Sequence, residues 1–107
     1  MNDFEAVYQF VRTIPRGRVM SYGEVGDTVG VSARTVGRAM HHALDEADDP
    51  VRGVPWQRVV GSDGYLRIAR RDPVLRDLQK SLLEAEGIEV SEASIVARRF
   101  FVGAEDE

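Results

Sequence analysis

Apolar residues recur at helical spacing in the first part of the chain. After Asp3, a suitable N-cap, they return every three or four positions, at Phe4, Val7, Tyr8 and Val11. The motif Ile14-Pro15-Arg16-Gly17 then ends the pattern. The spacing predicts a first helix that packs into the core.

Two further helices are predicted on either side of a glycine turn. Ser21 can cap the second helix, and Glu24 stands three positions later, as in a capping box. Gly30 marks the end of this helix, and a third helix, capped by Ser32, runs to about Leu44. Two short helices joined in this way are typical of a helix-turn-helix, whose second helix enters the major groove of DNA.

The third predicted helix has two contrasting faces. Its apolar stripe consists of Val36, Ala39, Met40 and Ala43, and its opposite stripe of Arg34, Gly37, Arg38 and His41. A glycine on an exposed helical face costs about 1 kcal/mol relative to alanine. Its presence is easier to understand if another molecule, such as DNA, approaches the backbone there. A solvated face with a tolerated glycine is the alternative, and the pattern leaves both open.

The second half of the chain begins with two β-prone runs. They span residues 54–60 and 65–68 and flank the turn Gly61-Ser62-Asp63-Gly64, which predicts a hairpin, the wing of a winged helix. A last helix is predicted from Pro73 to Glu86, with one face formed by Leu75, Leu78, Leu82 and Leu83. The predicted fold is therefore mainly α with a small β hairpin, a winged helix-turn-helix domain.

Composition excludes several classes of protein. The chain has no cysteine, which removes disulfides, thiolate nucleophiles and cysteine-ligated zinc, and two adjacent histidines fall short of a metal site. We expect no metal and no cofactor. No apolar run is long enough to span a membrane and the start lacks the pattern of a signal peptide, so the expected location is the cytoplasm. We expect residues 1–107 to form a single domain and a monomer.

Charge is unevenly distributed along the chain. The net charge of −4 argues against non-specific coating of nucleic acid. Residues 50–76, however, carry six arginines and two aspartates, whereas residues 77–107 carry three basic and eight acidic side chains. Thirteen of the 14 lysines and arginines are arginine. Arginine suits phosphate and base edges, but a compositional bias of the genome would give the same usage.

The only tryptophan lies in an informative segment. Pro55 fixes the chain beside Trp56, and Arg58 follows within one turn. A tryptophan here either fills the core, which is the commoner role, or offers a stacking surface. The pattern alone leaves this open.

Several separate motifs occur in an order that points to one family. They are Ile14-Pro15-Arg16-Gly17-Arg18-Val19, Ser21-Tyr22-Gly23-Glu24-Val25, Ala33-Arg34, Val36-Gly37, Ala39-Met40, Pro55-x-x-Arg58-Val59-Val60 and Leu82-Leu83-Glu84-Ala85-Glu86-Gly87. Together they resemble the DNA-binding domain of the O6-alkylguanine-DNA alkyltransferases over roughly residues 4–90.

The resemblance has one decisive departure. The alkyltransferases carry Pro-Cys-His-Arg at the active site, and the matching residues here are Pro55-Trp56-Gln57-Arg58. An indole supplies no nucleophile near neutral pH, so alkyl transfer by the family mechanism is excluded. Tryptophan at this position is the mark of the alkyltransferase-like proteins. These non-enzymatic relatives bind O6-alkylguanine in duplex DNA, block alkyltransferase repair and direct the lesion to nucleotide excision repair, whose proteins are then further partners.

The resemblance also implies roles for individual residues. Arg34 matches the finger that fills the gap left by a flipped base, and Tyr22 matches the tyrosine that presses on the 3′ phosphate. Flipping costs a few kcal/mol, which a wedging arginine and a pocket can offset. The remaining implied DNA contacts are Ser32, Gly37 and Arg38, and the implied lesion pocket is Trp56, Pro55, Arg58, Val59 and either Arg70 or Arg71.

Some of these positions have a second interpretation. Arg58 could equally hold its loop to Glu86 as a buried structural arginine. Arg71 is favoured over Arg70 because Asp72 follows it, as in the alkyltransferase-like pattern. Gln57 replaces the usual histidine. The family's Asn-Pro after the recognition helix is replaced by Ala43-Leu44. The segment 65–71 is longer than the corresponding segment of the family.

Two other functions remain as alternatives. A winged-helix regulator would read a DNA sequence with Arg34, Arg38 and His41, although Gly37 offers no group for reading bases. A hydrolytic dealkylating enzyme would use His41, His42 or an aspartate, but the sequence offers no paired base and orienting group.

Overall fold

A computed structural model of the chain describes residues 3–45, 54–70 and 72–104. Its elements are the helices α1 (Asp3–Val11), α2 (Tyr22–Val29), α3 (Ala33–Asp45) and α4 (Pro73–Ala85), the strands β1 (Met20–Ser21) and β2 (Val59–Val60), and 3₁₀ turns at Trp56–Arg58, Arg67–Arg70 and Arg98–Phe100. The prediction of a mainly helical domain is confirmed. Within the described ranges, no helix combines the length and apolar character needed to cross a membrane.

Serine caps begin both helices of the helix-turn-helix, as the sequence predicts. Ser21 Oγ accepts a hydrogen bond from Glu24 N at 3.0 Å, and Glu24 Oε1 accepts one from Ser21 N at 2.9 Å. Gly30 ends α2 in the left-handed conformation, with φ 97°. Ser32 Oγ then accepts from Thr35 N at 3.0 Å. Caps of this kind contribute about 1 kcal/mol each, so local sequence defines these helix boundaries.

The turn between α2 and α3 depends on Gly26. Its carbonyl accepts hydrogen bonds from Gly30 N at 2.7 Å and from Val31 N at 2.9 Å. A Cβ at this position would lie 2.5 Å from Val31 O, a distance that side chains do not tolerate. Only glycine therefore allows the two helices to approach this closely.

Helices α1, α2 and α3 enclose the first of two apolar clusters. The predicted inward stripe of α3 is confirmed for Val36, Ala39 and Met40, which are buried, whereas Ala43 is partly exposed. Trp56 packs against this cluster while remaining partly exposed. The buried members of the cluster are Val7, Val11, Ile14, Val25, Val36, Ala39, Met40 and Val59.

The predicted hairpin is wrong in its pairing. Strand β2 pairs with β1 in parallel, with Met20 opposite Val59, and the second β-prone run forms an antiparallel bridge from Tyr65 to Ile95. A hydrogen bond from Gly61 N to Tyr65 O at 2.9 Å joins the turn to the start of the second run. β-Propensity identifies extended segments but not their partners, and here both partners are distant in sequence.

Helix α4 and the C-terminal segment form the second cluster. Asp72 caps α4 by accepting from Val74 N at 2.9 Å. Leu83 is fully buried, but Leu78 is 46% exposed, which corrects the predicted leucine face. Gln79 is buried on the inner side of the helix instead. The cluster consists of Val19, Val60, Leu66, Leu83, Ile88, Val90, Val96 and Phe101.

Candidate nucleic-acid interface

An open cleft of about 810 Å³ separates the exposed face of α3 from the segments that follow Pro55. Its lining combines residues from α1 to α4 with those of two 3₁₀ turns. Pockets of roughly 300–1,000 Å³ bind small molecules, so the cleft can accept a nucleobase. Residues central to its chemistry are Tyr22, Arg34, Gly37, Trp56, Arg67 and Gln79.

The face of α3 that borders the cleft is the one the sequence predicts. Arg34, Arg38 and His41 are exposed, and all three line the cleft together with Gly37. The Arg38 guanidinium also lies 5.9 Å from the centroid of the Phe4 ring. A Cβ placed on Gly37 would meet nothing within 4 Å among the described residues. Packing among the described residues therefore does not require this glycine.

Tyr22 opens α2 directly after its N-cap and lines the cleft. Burial raises the pKa of the Tyr22 phenol above its ordinary value of 10.0, while the nearby Arg67 guanidinium opposes the rise. The phenol therefore stays neutral near neutral pH. A neutral phenol keeps its O–H group, which can donate a hydrogen bond to a phosphate oxygen.

Trp56 fills the core and borders the cleft at the same time. It begins a 3₁₀ turn after Pro55, and Arg58 N donates to Pro55 O at 2.9 Å within that turn. The indole packs against the first apolar cluster and also lines the cleft. The core-filler interpretation is thus confirmed, and the position of the indole at the cleft leaves the stacking surface as a prediction.

Arg58 corrects an expectation, because it does not line the cleft. Its Nε lies 3.0 Å from Glu86 Oε1 and 3.1 Å from Oε2, and one terminal nitrogen donates to Ile14 O at 2.8 Å. Its side chain is 15% exposed and that of Glu86 is 3% exposed. The structural role considered for Arg58 is the one observed.

Glu86 connects the end of α4 to the loop at Gly17 and to the 3₁₀ turn Trp56–Arg58, which is called the tryptophan turn below. Besides Arg58, its carboxylate accepts from Gly17 N at 2.9 Å and from Gln57 Nε2 at 2.9 Å. Gln57, which stands where the family has histidine, thus helps to fix the turn. A glutamine can do this without the ionisable ring that proton transfer needs.

Other expected site residues lie away from the cleft or outside the described residues. Val59 is buried in the first cluster, and neither it nor Pro55 lines the cleft. Ser32 also does not line it and serves as the cap of α3. The Arg70 side chain and all of Arg71 lie outside the described residues.

Arg67 lines the cleft but was missed by sequence reasoning. It begins the 3₁₀ turn after Leu66, and its side chain passes over Gly61. A Cβ at Gly61 would lie 2.6 Å from Arg67 Nε, so the glycine makes room for the guanidinium. No local sequence signal singles out Arg67, since its place at the cleft depends on how the 3₁₀ turn packs.

Gln79 is a second residue that sequence reasoning missed. It lines the cleft although it is only 2% exposed. Its Nε2 donates to the carbonyls of Gln57 at 3.1 Å and Val59 at 3.3 Å. The amide therefore supports the backbone that follows Trp56.

Comparisons with known proteins agree with this arrangement. Residues 2–88 match the family model described as 6-O-methylguanine DNA methyltransferase, DNA binding domain. The chain is 40% identical to a DNA base-flipping protein of Vibrio parahaemolyticus over 95 residues, covering 87% of each chain. It is 40% identical to alkyltransferase-like protein 1 of Schizosaccharomyces pombe, covering 86% of this chain and 82% of that one.

A solved structure extends the likeness to three dimensions. The fold matches S. pombe Atl1 in complex with damaged DNA containing O6-carboxymethylguanine, with a TM-score of 0.72 and 38% identity. The match covers 88% of this chain and 83% of that one. The chain therefore belongs to the family of the 6-O-methylguanine DNA methyltransferase DNA-binding domain and resembles its alkyltransferase-like members.

Proposed function

We propose that this protein is a non-enzymatic sensor of O6-alkylguanine in duplex DNA. It binds through the helix-turn-helix and flips the damaged base into the cleft beside Trp56. The bound lesion is withheld from alkyltransferases and directed to nucleotide excision repair. The observation that carries this proposal is that an indole, at the position matching the family's nucleophilic cysteine, borders an open cleft next to a basic helix face.

The relatives support the same function. One is named a DNA base-flipping protein, and the solved Atl1 structure contains DNA with O6-carboxymethylguanine. The chain has no cysteine, so it lacks the thiolate through which the methyltransferases would accept an alkyl group. Binding without transfer follows from this chemistry.

Base flipping requires a group that replaces the extruded base. Arg34 is exposed in the first turn of α3 and borders the cleft, so in our proposal its side chain enters the stack there. Tyr22, on the same cleft, donates its phenolic O–H to the neighbouring phosphate. Gly37 and Arg38 receive the DNA backbone along the rest of the face. Flipping costs least for a damaged base, which favours the lesion over normal guanine.

The flipped base meets an aromatic and a cationic side chain. Trp56 offers the edge or face of its indole, and Arg67 lines the same cleft. We assign to Arg67 a contact with the alkylated base, alongside either Arg70 or Arg71, of which the family pattern favours Arg71. Stacking and cation–π contacts each contribute about 1 kcal/mol or more when desolvated.

A binding assay tests the proposal. Affinity is measured by fluorescence anisotropy for two duplexes that differ only in O6-methylguanine or guanine at one position. We expect tighter binding to the damaged duplex, full recovery of the methylated base afterwards, and slower repair when an active alkyltransferase is added. Equal affinity for both duplexes would overturn the proposal.

A separate experiment tests the alternative of a regulator that reads DNA sequence. Selection from random undamaged duplexes would enrich a consensus site for such a regulator. We expect no enrichment, because a lesion sensor distinguishes damage and not sequence. A strong consensus with no preference for damage would favour the regulator.

A further inference from the structure

Gln79 is a buried polar side chain on the wall of the cleft to which the proposed function gives no role. It is 2% exposed and lies on the inner side of α4, where an apolar residue would pack at no cost in desolvation. A buried amide is stable only when its polar atoms find partners. Each end of this amide therefore needs an explanation.

The amino end is explained by the turn that carries Trp56. Gln79 Nε2 faces two backbone carbonyls, Gln57 O at 3.1 Å and Val59 O at 3.3 Å. Carbonyl oxygens only accept hydrogen bonds, so the orientation of the amide is fixed with its NH₂ group towards them. The amino group thus has two backbone acceptors.

The carbonyl end has no hydrogen-bond partner among the described residues. Gln79 Oε1 is buried and accepts no hydrogen bond from any of the described residues. The side chain nevertheless lines the cleft. Because Nε2 is already occupied, Gln79 can offer a ligand an acceptor and nothing else. It therefore favours a ligand that presents an N–H donor.

We propose that Gln79 Oε1 accepts a hydrogen bond from the exocyclic 2-amine of the flipped O6-alkylguanine, an inference that rests on the proposed function. Alkylation at O6 removes the proton from N1, so the 2-amine is the only N–H donor left on the base-pairing edge. An O4-alkylated thymine has no donor on that edge, and an O6-alkylated hypoxanthine lacks the amine. Gln79 is thereby a specificity-determining residue that selects alkylated guanine among O-alkylated bases.

Two duplexes that differ by one amine test the assignment. One carries O6-methylguanine and the other O6-methylhypoxanthine, each opposite an abasic analogue so that base pairing does not contribute. Leaving a buried acceptor unpaired lowers affinity by about tenfold. We therefore expect the wild-type protein to prefer O6-methylguanine by about tenfold.

Variants separate contact with the amine from support of the turn. Gln79→Met has a similar volume but no acceptor, and a direct contact predicts that the tenfold preference falls to less than about threefold. A purely supporting role predicts that both duplexes lose affinity equally and the preference persists, which overturns the proposal. Gln9→Met makes the same chemical change on the exposed side of α1 and should keep the full preference.

The outcomes distinguish this inference from the proposed function. If O6-methylguanine binds no tighter than guanine, the sensor function itself fails. If it binds tighter than guanine but O6-methylhypoxanthine binds equally well, only the role of Gln79 fails. The wild-type comparison gives this answer even if Gln79→Met does not fold.

Discussion

The Arg58 guanidinium and the Glu86 carboxylate form a nearly buried ion pair, with Nε 3.0 Å from Oε1 and 3.1 Å from Oε2. The pair links the tryptophan turn to the end of α4. Arg58, which belongs to the family's active-site motif, therefore stabilises the fold in this protein.

Removing one partner of this pair should strongly destabilise the protein. Glu86→Ala leaves the Arg58 charge without its carboxylate in a place with little access to water, and we expect a loss of about 3 kcal/mol in the free energy of unfolding. Urea denaturation measures it. The exposed pair Arg99–Glu89, with side chains 59% and 81% exposed, is the control. Glu89→Ala should cost less than about 1 kcal/mol, and equal losses would contradict the structural role of Arg58.

Gly37→Ala should separate stability from DNA binding. The new methyl group meets none of the described residues within 4 Å of its position, so helix propensity should raise the free energy of unfolding by about 0.5–1 kcal/mol. The same methyl should weaken DNA binding, because it occupies the space where, in the proposed complex, the DNA backbone approaches α3. A variant that is more stable and binds DNA normally would refute this close approach. Gly30→Ala, at φ 97°, should instead lose stability.

Arg67→Ala should reduce the preference for damaged DNA. Loss of a charged hydrogen-bond donor from the cleft should lower affinity for the O6-methylguanine duplex by about tenfold. Arg99→Ala removes the same charge from an exposed site that does not line the cleft. It should have a much smaller effect at the same ionic strength. Comparable losses in both variants would mean that Arg67 contributes only general charge.

The single tryptophan of the chain reports directly on the cleft. A base that enters beside Trp56 changes the environment of the indole, so the O6-methylguanine duplex should quench its fluorescence more than the undamaged duplex at equal saturation. Stopped-flow mixing would follow the same signal in time. Identical quenching by both duplexes would count against flipping into this cleft.

Stability should fall at high pH through Tyr22. Because the pKa of its phenol is raised in the folded protein, the unfolded chain releases that proton first as the pH rises above 10.0. The stabilising contribution is therefore complete below pH 10.0 and is lost as the pH passes through the raised pKa. Urea unfolding between about pH 8 and 11 should reveal a steeper decline for wild type than for Tyr22→Phe. Parallel declines would disprove this contribution.

Sequence reasoning succeeded where the controlling interactions are local. The caps at Ser21 and Ser32 each bond to a backbone N–H three residues on, so a short stretch of sequence specifies them. The β-prone run before Gly61 was recognised, but its partner β1 is distant in sequence and a hairpin was predicted instead. Strand pairing depends on the whole fold, and a local sequence pattern does not specify which distant strand will be the partner.

The candidate site was predictable only in part for the same reason. Matching motifs identified Tyr22, Arg34 and Trp56, which the structure brings to one cleft. The sequence does not identify Gln79, because a polar residue in a leucine-containing helix is normally assigned to the solvent side. Its burial follows from two carbonyls that belong to another segment.

The short parallel pairing of β1 with β2 has a mechanical consequence. It aligns Ser21, which precedes Tyr22, with Val60, which lies four residues after Trp56. The backbone next to the phenol and the backbone that follows the indole are therefore paired, which limits the separation of the two side chains. A nucleotide whose phosphate meets one and whose base meets the other must span that separation. In the proposed complex, this limit favours a single extruded nucleotide, and a lesion that joins two adjacent bases should bind poorly.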